Sequence, residues 1–72
     1  MPATTYFVDL LMELPAHGGK PAGGRRHVYG DLTTPEPVTS EQLQDIVIRS
    51  EADRKGFDPA GVRVVEFTYT TT

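Results

Sequence analysis

Seventy-two residues with seven Lys and Arg against ten Asp and Glu, a formal net charge of −3 and no cysteine confine the chain to one small domain and exclude disulfides and thiolate metal sites. The acidic balance opposes the general attraction to phosphate on which nucleic-acid binders rely. No apolar run is long enough to span a bilayer and the first residues lack the features of a secretion signal, so a soluble, cytoplasmic protein with no membrane contact is expected.

Residues 4–14 are predicted as a first strand. Tyr6, Val8, Leu10, Met12 and Leu14 form an unbroken apolar face at period two, while Thr5, Phe7, Asp9, Leu11 and Glu13 fill the other. Leu10 to Leu14 would also suit a helix, but the β-branched and aromatic start, with Pro15 behind it, favours extended backbone. Pro15 to Gly24 holds four of the seven glycines and two of the six prolines, and residues 15–25 read as a flexible loop. A weaker strand follows at 26–32, loosened by Gly30.

Pro35 and Pro37 make residues 33–38 an extended connector, since each fixes its own φ and restricts the residue before it. Thr39 then stands at an N-cap position, Gln42 completes a capping box, and Val38 can staple to Leu43. The pattern predicts a helix over 40–55 with Leu43, Ile46, Val47 and Ser50 on one face. Asp45 with Arg49 and Glu51 with Lys55 are spaced for acid-first pairs. Gly56 is placed to close the helix in the left-handed region, with Phe57 folding back on the last turn. Asp58-Pro59-Ala60-Gly61 spells a type I turn. Residues 62–71 are the last strand, with Val65, Phe67 and Tyr69 as the expected core side.

The order is β-β-α-β. A right-handed crossover through the helix places the last strand beside the first rather than beside the second. The expectation is a single α+β domain: a three-stranded antiparallel sheet in the order 2-1-3 with one helix on one face.

Motifs for chemistry are sparse. Gly19-Lys20 looks like part of a phosphate loop, but Pro21 and the strand that follows remove the amide and the helix N-terminus that such a loop uses. His17 and His27 could share a metal with Asp31, though the floppy tip and the absence of a thiolate to close the shell argue against it. Asp9 and Glu13 would stand about 13 Å apart along a strand, outside the spacing of a catalytic carboxylate pair. With no nucleophile signature either, no enzyme activity, cofactor or metal is expected.

Charge is polarised instead. Between Pro15 and Tyr29 there are three formal cations and no acid, whereas Gly30 to Asp53 carries six acids and one arginine. A basic hairpin tip could contact phosphates through Lys20, Arg25, Arg26 and His27, which makes a nucleic-acid accessory domain the alternative reading. A tip docking on the acidic helix of another copy is an intermediate one.

The leading reading comes from the faces. A chain of this size buries only about 60% of its extended surface, so apolar burial and the entropy of ordering nearly cancel. One helix covers one side of the sheet, yet Phe7 and Leu11 lie on the opposite parity of the first strand, and the last strand carries Val62 and Val64 against Val65, Phe67 and Tyr69. Ile48 points about 140° from Leu43. Phe7, Leu11, Val62, Val64 and Ile48 are therefore the interface candidates. The expected function is a small non-enzymatic protein-binding or regulatory module, self-associating as a homodimer through its open sheet face or the edge of the last strand.

Overall fold

A computed structural model describes residues 3–72. Strand β1 (Thr4–Glu13) pairs antiparallel with β2 (Arg25–Thr34), from Thr4 opposite Thr34 to Glu13 opposite Arg25. Strand β3 (Arg63–Thr71) lies antiparallel on the other side of β1, so the sheet order is β2-β1-β3. Helix α1 (Ser40–Lys55) covers one face. This is the α+β arrangement expected from the sequence, and β1 is central because its even-numbered residues supply the longest apolar face in the chain.

That face is the core. Tyr6, Val8, Leu10 and Met12 of β1 are buried against Leu43, Val47 and Ala52 of α1 and against Phe57, with Leu10, Met12 and Leu43 completely enclosed. The helix is fixed in register by its ends. Thr39 Oγ1 accepts from the Gln42 N–H at 3.2 Å while Gln42 Oε1 accepts from the Thr39 N–H at 2.8 Å, closing the capping box. At the far end Gly56, at φ 81°, donates its N–H to Ala52 O at 2.8 Å. The connector is tied to the sheet as well, since the Val38 N–H donates to the Tyr6 hydroxyl at 3.1 Å.

The glycine- and proline-rich segment after β1 is folded more tightly than its composition suggests. Leu14 donates its N–H to Gly24 O at 2.7 Å and Gly23 donates to Leu14 O at 3.0 Å, so the ladder continues past the ends of β1 and β2. His17 and Lys20 then exchange backbone bonds of 3.2 and 2.7 Å around Gly18 and Gly19, whose φ angles are 52° and 80°. Two consecutive positive φ values are the mark of a type I′ hairpin turn, which glycine alone adopts at no steric cost. The His17 ring packs edge-on against Phe57 with centroids 5.6 Å apart, and Pro15 sits so close to Gly61 that a Cβ there would come within 2.9 Å of it.

Strand β3 carries one irregularity with a large consequence. Leu11 is opposite Glu66 but Met12 is opposite Val64, so Val65 is an extra residue in a β-bulge. The bulge inverts the parity of β3 at its midpoint. Val62 and Val64 before it, and Phe67 after it, all pack on the helix-covered side, while Val65 is displaced outward to 37% exposure. Of the residues expected on the core side of this strand, Phe67 packs against the core opposite Leu10, Tyr69 stands opposite Val8 on the same side with its ring 6.0 Å from that of Tyr6 but is 44% exposed, and Val65 does not join them.

Candidate interaction surfaces

The uncovered face of the sheet is built from the odd-numbered residues of β1 and their neighbours. Phe7 lies between Asp31 and Thr70, and Leu11 between His27 and Glu66. Asp9, between these two side chains, meets His27 Nε2 through Oδ1 at 2.6 Å, and polar pairs flank them at either end: the Thr5 and Thr33 hydroxyls share a hydrogen bond of 2.9 Å, and Arg63 Nη2 donates to Glu13 Oε2 at 3.0 Å. Tyr29 is exposed beside them, its ring 5.2 Å from that of His27. Of the five interface candidates, Phe7 and Leu11 are therefore on the open face. Val62, Val64 and Ile48 pack against the core instead. The bulge accounts for Val62 and Val64, and Ile48 is drawn in because the apolar stripe of α1 is wider than the Leu43–Val47 seam.

Glu13 illustrates the electrostatics of this face. The hydrogen bond and charge of Arg63 hold its carboxyl below the ordinary 4.5 against an opposing effect of desolvation, Arg25 adding the smallest contribution, and Arg63 is raised in return. A carboxyl with a depressed folded-state pKa contributes stability that is present above the unfolded value and is lost as pH falls through the folded one. Denaturation measured from pH 7 down to about pH 3 is expected to show a steeper loss below pH 4.5 in the native chain than in Glu13→Gln. Superimposable acid limbs would mean that the pair contributes nothing.

The edge of β3 is a second surface. Thr72 donates its N–H to Thr5 O at 2.9 Å, and the alternation of an antiparallel ladder then turns the N–H and C=O groups of Thr71, Tyr69 and Phe67 away from β1. From Val64 to Thr72 the strand has one charge, Glu66, and no glycine, proline or lysine. Phe67 and Tyr69 stack with centroids 5.9 Å apart. The opposite edge is different in kind, for β2 carries Arg25, Arg26, His27 and Asp31 and is interrupted by Gly30, the features that discourage strand addition.

The four residues proposed to contact nucleic acid do not share a face. Arg25 and His27 stand opposite Glu13 and Leu11 on the open side, whereas Arg26 stands opposite Met12 on the helix side. Two of them are occupied by acids, His27 by Asp9 and Arg26 by Glu51, whose Oε2 accepts from Arg26 Nε at 3.3 Å. Glu51 is a buried carboxylate, 6% exposed, with Arg54 Nη2 also 3.6 Å from the same Oε2. The sequence spacing pairs Glu51 with Lys55, but the carboxylate turns inward to Arg26 and leaves Lys55 without an ion pair among the described residues. Asp45 and Arg49 form the expected pair. No three His, Asp or Glu side chains gather as a metal site among the described residues, and no helix there is long and apolar enough to cross a membrane. No protein-family model matches the chain, and no curated protein or solved structure is significantly similar to it.

Proposed function

We propose that the chain is a non-enzymatic protein-binding module whose partner is a second copy of itself, joined edge to edge through β3. The observation that carries this reading is the run of outward backbone groups at Phe67, Tyr69 and Thr71 in a stretch, Val64 to Thr72, with Glu66 as its one charge, the arrangement that templates addition of another strand. A two-fold axis at Thr68 sets Phe67 opposite Tyr69 of the other copy in a hydrogen-bonded pair, and the reverse. Two aromatic cross-strand pairs then lie on the helix side, each worth roughly 0.2–1 kcal/mol, and Glu66 meets Thr70 rather than a like charge. Phe7 and Leu11 adjoin the same ladder on the open face and would continue into a six-stranded sheet.

An interface of this length has to offset the loss of translational and rotational freedom, so dimers are expected at high micromolar rather than nanomolar concentration. Sedimentation or light scattering between about 10 µM and 1 mM tests this. Thr68→Lys and Thr68→Glu each set like charges face to face across the axis and are expected to give monomers, while their equimolar mixture recovers the dimer. A strict monomer in the native chain at 1 mM would overturn the proposal. A dimer that persists in Thr68→Lys but dissociates on Phe7→Ser or Leu11→Ser would move the interface to the open face.

A further inference from the structure

The hairpin-tip end of the sheet holds a feature that self-association through the Phe67–Thr71 edge leaves unused. A concavity of about 270 Å³ lies between the tip of the β1–β2 hairpin and the last turn of α1, and its walls include His17, Lys20, Arg25, Arg26 and Lys55 with no acidic side chain among them. Three observations distinguish it from a solvated basic loop. The tip is held by the His17–Lys20 backbone pair and by the His17 ring against Phe57. Arg26 is oriented from beneath by the buried Glu51, which occupies its Nε and leaves the guanidinium's other N–H groups free of that contact. Lys55, whose sequence partner is taken by Arg26 and Arg54, lines the concavity together with Lys20, and neither forms an ion pair among the described residues.

We propose that this concavity binds a small phosphate-bearing anion, with Arg26 and the two lysines as its ligands and Arg25 at the rim. The volume falls just below the range of drug-sized ligand sites, so the ligand is a phosphate monoester or diphosphate group rather than a large cofactor. Recognition is by side chains: an oriented guanidinium supplies paired donors for phosphate oxygens, and the lysines act as point charges. This removes the objection that Pro21 has no amide to offer, because the backbone does not cradle the anion. Lys20 and Lys55, which have no ion-pair partner among the described residues, add positive charge beside Arg26 that Glu51 does not balance, and a dianion relieves that repulsion as it binds.

Titration of the ¹⁵N-labelled chain with inorganic pyrophosphate at about 20 mM salt, where screening is weak, tests the site. Saturable shifts are expected in the segments 17–26 and 54–56 and not along β3. Lys20→Gln and Lys55→Gln are each expected to weaken binding by roughly two- to fivefold. Arg49→Gln, which removes one positive charge from another part of the helix, is expected to leave it unchanged. Shifts that never saturate, or an equal loss in Arg49→Gln, would overturn the proposal by reducing the effect to net charge. Titration with single-stranded oligonucleotides of increasing length gives the remaining arm: affinity that climbs with length and falls steeply with salt would assign the cations to a nucleic-acid backbone and overturn the small ligand.

Discussion

Leu10→Ala is expected to lower the stability of the protein by about 3–4 kcal/mol, within the ~2–5 kcal/mol typical of a buried leucine reduced to alanine. Leu10 is fully enclosed, sits at the middle of the central strand, and is flanked by Val28 on β2 and Phe67 on β3. Its neighbours cannot collapse into the space because the ladder on both sides fixes their backbones. At roughly 0.05–0.15 kcal/mol per residue a chain of this length has about 4–11 kcal/mol in total, so the substitution removes a large share of it. Urea denaturation is expected to show the midpoint falling with an unchanged slope. Leu11→Ala, one residue along, points to the open face and is expected to cost well under half as much at low protein concentration. Equal losses would contradict a one-sided core. A Leu11 effect that grows with protein concentration would instead show that face being covered by another copy.

Much of this architecture was legible because several local signals agreed. The even-numbered face of β1, the Thr39–Gln42 box, the Gly56 stop and the Asp58 turn each act within a few residues, and each fixes an element or its end without reference to the rest of the chain. Asp58 behaves as expected, its Oδ1 accepting from the Ala60 N–H at 3.0 Å at the start of a 3₁₀ turn over Pro59–Gly61. The connection rule then leaves one economical order for three strands and a helix.

What was not legible depends on contacts between distant segments. Strict alternation along residues 62–71 forces a surplus of apolar side chains onto the open face, and only the pairing with β1 reveals that Val65 is skipped. A single extra residue returns Val62 and Val64 to the core and removes most of that surplus. The hairpin tip was equally opaque, since its glycines read as freedom until Phe57 and Gly61, more than thirty residues away, are seen to meet His17 and Pro15. For the candidate surfaces the consequence is a change of emphasis. The open face retains Phe7 and Leu11 among polar pairs, while the β3 edge keeps an uninterrupted line of backbone donors and acceptors that composition does not display.

Charge partners were the other blind spot, and Glu51 is where they matter most. On a helix surface the spacing to Lys55 is worth a few tenths of a kcal/mol at about 0.2–0.5, but the carboxylate is buried and its nearest cation comes from β2, twenty-five residues back in sequence. Glu51→Ala is expected to cost about 2 kcal/mol. Breaking a fully buried pair costs roughly 3–5 kcal/mol because the surviving charge is left unpaired, and the Arg26 side chain, 33% exposed, recovers part of that by turning to water. Glu51→Gln keeps a carbonyl acceptor for Arg26 and is expected to lose about half as much. The decisive comparison is the double variant Arg26→Met with Glu51→Leu. If the cost of Glu51→Ala arises from stranding Arg26, replacing both partners with apolar side chains of similar length is expected to restore most of the stability. A double variant as unstable as Glu51→Ala would show that the pair holds β2 against α1 by its geometry. In a domain without cysteine, where no disulfide can fasten that strand to the helix, a buried ion pair would then be serving as a fastening.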